Sequence, residues 1–292
     1  MGAGLETAST PEEMRNLSER WRASGQTVGL VPTMGALHEG HLSLVRRARS
    51  ECERVVVSVF VNPTQFGRGE DFETYPRDLE RDRALLAREG ADAVFSPTIE
   101  AMYGEEDPDL SSGERASVDP GRLGQMWEGE VRPGHFRGVA TIVTMLFGAV
   151  RPHRAYFGEK DYQQLVIVRR MARELQLGVE VVGCPTVREE DGLAMSSRNV
   201  YLSPEEREAA LSLSRALGRC AALAREGERS AKKLEAAMLE VCSREPLVGL
   251  QYAAVVDAES LERLERLGER PARAIIAARV GRTHLIDNAG IP

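Results

Sequence analysis

The chain of 292 residues predicts an α/β fold: a Rossmann-like parallel sheet domain followed by a smaller α+β domain. Three observations carry that expectation. Short apolar runs alternate with helical patterns from about residue 10 to residue 182, the rhythm of strand–helix–strand units. The run Val28-Gly29-Leu30-Val31 is broken by Pro32 and Gly35 and hands over to a helix, the kind of turn at which open α/β sheets hold phosphates. Beyond Pro185 to Asp191 the order changes to helices followed by strands. We therefore expect domains at 1–187 and 188–292, the second a lid.

Residues 1–9 are small and polar and read as frayed. Thr10, Pro11 and Glu13 spell an N-cap, a first-turn proline and a capping box, opening a helix that runs to about Ala23 and stops before Gly25. After the first strand, Leu42, Val45 and Ala48 share one helix face. Val55 to Val61 reads as a second buried strand ending in Asn62-Pro63-Thr64-Gln65-Phe66. A helix follows from Tyr75-Pro76-Arg77-Asp78 through Asp82 to about Arg88, then a strand at 91–95. Residues 99–136 are rich in Gly, Pro and charge, carry no assignable pattern and suit a functional loop or lid. Glu128, Arg132 and His135 in that segment are candidate site-wall residues. A mostly apolar helix spans 139–150, a strand 155–158, and the next helix places Leu165, Val168, Met171, Ala172 and Leu175 on one face before a strand at 179–182. Ser203, Pro204 and Glu206 repeat the capping-box start, opening a helix to about Arg225; a helix at 232–243 and apolar runs at 252–256, 274–278 and 283–286 complete the second domain.

Hydrophobic content of 42% and charged content of 28% fit an ordinary globular protein rather than a disordered one. No run of about 18 apolar residues suggests a membrane span. The first residues lack the basic flank and apolar core of a signal peptide, and four scattered cysteines without a Cys-x-x-Cys pair read as buried thiols, so a cytoplasmic location is expected. A net charge of −7 disfavours a nucleic-acid partner, because such binding rests on neutralising phosphates.

His38 and His41 stand three apart at the start of a helix, so both imidazoles can project from its first turn. Beside a helix N-terminus their N–H groups would hold phosphate oxygens. Gly40 between them costs roughly 1 kcal/mol relative to alanine in a helix, which close approach of a flat purine would offset. An ordinary pair of surface histidines is the alternative. A His-Glu-x-x-His zinc site is not, because Leu42 occupies the second histidine position and no cysteine lies near in sequence.

The stretch Pro32-Thr33-Met34-Gly35-Ala36-Leu37-His38-Glu39-Gly40-His41 resembles the signature of the pantothenate synthetase family, part of the His-x-Gly-His nucleotidyltransferase superfamily that also holds class I aminoacyl-tRNA synthetases. Phe60-Val61-Asn62-Pro63-Thr64-Gln65-Phe66, Phe157-Gly158-Glu159-Lys160-Asp161-Tyr162-Gln163-Gln164, Pro185-Thr186-Val187-Arg188, Gly192-Leu193-Ala194-Met195-Ser196-Ser197-Arg198-Asn199 and Leu285-Ile286-Asp287-Asn288 match it in order and at compatible spacing. The resemblance covers nearly the whole chain after residue 10.

The resemblance implies ATP contacts from Met34 to His41, from Gly158 to Asp161, at Val187 through its backbone, and at Met195, Ser196, Ser197 and Arg198. His38, His41, Lys160, Ser196, Ser197 and Arg198 would be the catalytic groups, with Asp161 on ribose hydroxyls and Lys160 near the transferring phosphate. The segment from Pro185 to Asn199 reads as a flexible loop, and its Met195-Ser196-Ser197-Arg198 resembles the superfamily's Lys-Met-Ser-Lys-Ser segment, with serine where that segment has its second lysine. Gln65 and Gln164 resemble a pantoate-binding pair, and Asp82 is the candidate contact for Mg2+, directly or through water. The implied reaction joins pantoate to β-alanine through a pantoyl adenylate in a homodimer. Another nucleotidyltransferase or a tRNA synthetase would lack the Asn-Pro-Thr-Gln-Phe and Gly-Glu-Lys-Asp-Tyr-Gln-Gln segments; a non-catalytic nucleotide-binding regulator should have lost some of the catalytic groups, and all are present.

Overall fold

The computed structural model describes residues 4–67, 69–105, 108–112 and 115–292. Its first half is a six-stranded parallel sheet in the order β1-β4-β3-β2-β5-β6. The strands are β1 (Glu6–Ala8), β2 (Val28–Thr33), β3 (Arg54–Val59), β4 (Ala93–Phe95), β5 (Arg154–Gly158) and β6 (Glu180–Cys184). The helices between them are α1 (Pro11–Ala23), α2 (Glu39–Glu51), α3 (Leu79–Arg88), α4 (Ile99–Tyr103), α5 (Glu128–Val131), α6 (His135–Val150) and α7 (Tyr162–Glu174). Val31, Val45, Ala48, Val55, Val57, Leu86, Val94 and Tyr156 form one buried core, as near-continuous apolar strands covered by helices require. After β4 the strand order jumps across the sheet to β5, on the other side of β2. The C-terminal ends of β2 and β5 therefore flank a topological switch point, where open α/β sheets bind ligands.

Several expectations are corrected. Glu6–Ala8 is not frayed: it pairs in parallel with Ala93–Phe95 as an edge strand, while residues 1–3 lie outside the described residues. Pro32 does not break the first strand but lies inside β2 opposite Ser58. The β2–β5 ladder involves only Gly29 and Leu30 of β2, so the missing proline N–H costs no bond there. Gly40 is the second residue of α2, in the first turn rather than the interior to which the full glycine cost applies. Leu175 lies past the end of α7 and is exposed. Within 99–136 the chain forms α4, a 3-10 turn at Gly121–Gly124 and α5, and α6 begins at His135; residues 106–107 and 113–114 of that segment are outside the description.

The second unit holds α8 (Pro204–Arg225), α9 (Ala231–Cys242) and an antiparallel sheet β7-β8-β9 (Val248–Asp257, Ala272–Val280, Thr283–Ile291). The Ser203–Glu206 capping box opens α8, and the Thr10–Glu13 box opens α1, each with a proline in the first turn. Leu213, Leu217, Leu234 and Met238 pack with Val255, Ile276 and Val280 in a core of their own. The compact units are 1–159 with 164–185, and 160–163 with 186–292. The division therefore differs from the expected 1–187 and 188–292 mainly in the assignment of Lys160–Gln163 to the second unit. Among the described residues no helix is long and apolar enough to cross a membrane.

Candidate functional site

In the first unit the turn between β2 and α2 is built for tight curvature. Gly35 has φ +85° and Ala36 φ 50°. A Cβ on Gly35 would stand 3.0 Å from Asp82 Oδ2 and 3.1 Å from Val59 Cγ1, so only glycine fits the conformation and the space. Asp82, on the first turn of α3, accepts the Leu37 N–H at 2.9 Å, and Arg81 donates to the Leu37 carbonyl at 3.2 Å. Burial raises the Asp82 pKa, against the opposing pull of the backbone N–H groups it accepts. Asp82 is thus neither a helix-surface charge nor exposed: it is 1% accessible and braces the turn that presents the histidines.

His38 is the N-cap of α2 and His41 its third residue. Their rings lie 4.1 Å apart, tilted by 33°. The His38 N–H donates to His41 Nδ1 at 3.4 Å, so neutral His41 carries its proton on Nε2. Two half-buried imidazoles at a helix N-terminus, beyond the strand next to the switch point, form a ready anion cradle.

Gln65 ends the 3-10 turn Pro63–Gln65 and donates its side-chain amide to Met34 Sδ at 3.0 Å, tying this turn to the histidine motif. Asn62, buried below it, donates to the Gly138 carbonyl and accepts from Tyr103 at 2.7 Å. A Cβ on Gly138 would meet Thr64 O at 2.2 Å and Gln65 N at 2.7 Å, so α6 presses directly on the turn. Arg132 and His135 both bond the Gln65 carbonyl, at 3.3 and 2.7 Å. Because that carbonyl only accepts, His135 Nδ1 carries the proton; Nε2 then accepts from Arg132 at 3.2 Å. Burial, and next the Arg132 charge, hold the His135 pKa down to about 4. Burial would raise the Glu70 carboxyl, but bonds from Arg132, the closest at 2.5 Å, hold it below the usual range. Arg132 and His135 thus support the Gln65 turn from behind, and Glu128 lies 4.0 Å from Arg132. Reading the sequence could find these residues as candidates but not this role, since the segment lacked any periodic pattern.

In the second unit, Lys160 donates to Asp161 at 3.4 Å. Val187 to Met195 is a tied hairpin rather than the flexible loop expected. Met195 N–H donates to the Val187 carbonyl at 3.0 Å, Arg188 bridges Ala194, and Gly192 turns at φ +95°. Buried Asn199 donates to Glu189 at 2.6 Å and to the Ala194 carbonyl at 3.0 Å. Ser196 then caps the 3-10 turn Ser197–Tyr201 by accepting from Arg198 N–H. Met195, Ser196, Ser197 and Arg198 are all half-buried on this hydrogen-bonded base, as are Gly158, Glu159, Asp161 and Gln164 in their segments.

Residues 6–290 match the model of the pantoate–β-alanine ligase family. The chain belongs to that family. The pantothenate synthetase of Rubrobacter xylanophilus is 70% identical over 97% of both chains, and that of Thermotoga petrophila 53% identical over 97% of this chain and 99% of its own. Among solved structures, the pantothenate synthetase of Thermus thermophilus superposes with a TM-score of 0.89 at 51% identity, covering 99% of this chain and 100% of that one. The Francisella tularensis pantoate–β-alanine ligase, solved in complex with Beta-gamma ATP and β-alanine, gives a TM-score of 0.78 at 31% identity over 98% and 97%. Membership in this ligase family makes the chain an enzyme and accounts for the parallel sheet followed by a small antiparallel one.

Proposed function

We infer that the chain condenses pantoate with β-alanine at the expense of ATP. The pantoate carboxylate attacks the α-phosphorus, releasing pyrophosphate and leaving pantoyl adenylate. The β-alanine amine then attacks the activated acyl carbon, loses a proton and expels AMP. Both nucleophiles come from substrates, so the protein supplies alignment and positive charge where charge develops. The observation that carries this reading is the braced pair His38–His41 at the helix N-terminus beside the sheet's switch point.

In this reading Met34 to His41, Gly158 to Asp161, Val187 and Met195 to Arg198 meet ATP, and His41 Nε2–H faces the leaving pyrophosphate. Gln65 and Gln164 hold pantoate, whose hydroxyls and carboxylate suit amides that both donate and accept. Asp82 does not suit a direct magnesium contact. It is buried, one oxygen is engaged by Leu37, and Mg2+ demands about six oxygens with several waters. Among the described residues no three His, Cys, Asp or Glu side chains cluster as a metal site. Magnesium enters instead as part of the MgATP substrate. A homodimer and a cytoplasmic location complete the reading; the edge position of β6 and exposed Leu175 favour the first, and four buried free thiols suit a reducing compartment. Light scattering after gel filtration tests the dimer.

Pantoate-dependent exchange of labelled pyrophosphate into ATP tests adenylation, and β-alanine-dependent AMP release tests the second step. His41→Ala should lose most turnover and weaken ATP binding. Exchange that pantoate does not stimulate overturns the reading.

A further inference from the structure

Two adjacent residues in the middle of β9 reach the two segments of the second unit that the proposed function places on the triphosphate. Asp287, 4% exposed, takes both ends of the Arg188 guanidinium, at 2.7 and 3.0 Å. The same guanidinium donates to the Gly192 carbonyl at 3.1 Å, so the pair locks both strands of the hairpin that ends in Met195–Arg198. Asn288, 5% exposed, donates its side-chain amide to the Lys160 carbonyl at 2.8 Å. Successive strand residues point to opposite faces, so one short piece of backbone can serve both. The two are tied to each other as well, since the Asn288 N–H donates to Asp287 Oδ1 at 2.7 Å. The Lys160 segment is held a second time: the Tyr162 hydroxyl donates to the Ala258 carbonyl at 2.9 Å, and the Arg273 guanidinium lies 3.7 Å from the Tyr162 ring centroid.

We propose that Asp287 and Asn288 are positioning residues for adenylation, fixing the distance between Lys160 and the Ser196–Arg198 turn so that their donors meet one triphosphate. This rests on the ligase reading above. The physical reason is that the bonds within each segment do not set its distance from the other. Lys160 sits on a single 3-10 turn, Glu159–Asp161, and the hairpin carries its donors past its open end. A bidentate charge-assisted pair fixes orientation as well as distance, which a single neutral bond does not. Displacement of a reacting group by about 1 Å costs on the order of a hundredfold in rate.

The test separates the two half-reactions. In Asn288→Asp, Asn288→Ala and Asp287→Asn, pyrophosphate exchange and its KM for ATP are measured beside the release of AMP from supplied pantoyl adenylate and β-alanine, with the thermal midpoint of each variant. The expected result is a fall of about tenfold or more in kcat/KM for ATP, with AMP release from the supplied adenylate within about threefold of wild type. Equal loss of both half-reactions, or losses that follow the thermal midpoint down, overturns the proposal and leaves a purely structural role. So does undiminished exchange. A wild-type chain without pantoate-dependent exchange overturns the ligase reading and this proposal with it; an active wild type with fully active variants overturns the proposal alone.

Discussion

Gly138→Ala is the sharpest probe of the pantoate side of the site, because the structure specifies both the displacement and its target. The added Cβ would lie 2.2 Å from Thr64 O, 2.5 Å from Thr64 C and 2.7 Å from Gln65 N, all backbone atoms that no rotamer change can move aside. Ordinary contact begins near 3.4 Å, so the turn carrying Gln65 must retreat by about 1.2 Å. A misplacement of about 1 Å is worth on the order of a hundredfold in rate. We therefore expect kcat/KM for pantoate to fall by about a hundredfold, equivalent to ~2.7 kcal/mol. Stability should move much less. Overpacking costs ~1–3 kcal/mol, but alanine improves the helix by ~1 kcal/mol, leaving a net loss of at most ~2 kcal/mol. The KM for ATP should move much less than that for pantoate, because Asp82 braces the histidine turn even when the Gln65–Met34 contact shifts. Pyrophosphate exchange at varied pantoate and fixed saturating ATP measures the effect. A variant with unchanged pantoate dependence would refute the claim that α6 sets the position of Gln65.

The His135 pKa, held down to about 4, makes a statement about stability. The folded state refuses a proton that the unfolded chain accepts near 6.5, so the contribution is present above pH 6.5 and lost as pH falls towards 4. Urea unfolding should lose up to ~1.4 kcal/mol per pH unit across that window, and His135→Gln should flatten the slope. Asp82→Ala should lower adenylation by about tenfold through a loosened histidine turn, whereas Asp82→Asn keeps an acceptor for the Leu37 N–H and should retain most activity. Equal activity of the two variants would remove the brace from the argument. The purified chain should carry no stoichiometric metal by elemental analysis, while EDTA abolishes exchange and added Mg2+ restores it.

What was legible in the sequence was whatever local chemistry decides. Thr10–Glu13 and Ser203–Glu206 announce their helices because a capping box satisfies its own backbone donors within four residues. The pair His38–His41 was legible for the same reason: one helical turn brings the rings together. Glu6–Ala8 was missed because three residues are too short to show a period and depend on pairing with Ala93–Phe95. The start of α6 was missed because Gly134, at φ +86°, and Gly138 look like loop residues until the Thr64 backbone is found against the helix. α4 and α5, of five and four residues, are too brief for any hydrophobic stripe.

The supports behind the site lay furthest from reach. Asp82 is 45 residues from Leu37 and Asp287 is 99 from Arg188, so only the fold makes them neighbours. The two carboxylates nonetheless do different physical work. Asp82 holds a neutral N–H, for which an amide oxygen is nearly as good an acceptor, and its burial opposes its own ionisation. Asp287 holds a guanidinium by both oxygens, and an amide there would lose one acceptor and leave a partly buried cation unpaired. We therefore expect loss of charge to matter less behind the histidine turn than behind the serine–arginine turn. That asymmetry follows from what each carboxylate chiefly faces: backbone N–H groups for Asp82, with the Arg81 guanidinium farther off at 3.8 Å, and a bidentate arginine for Asp287.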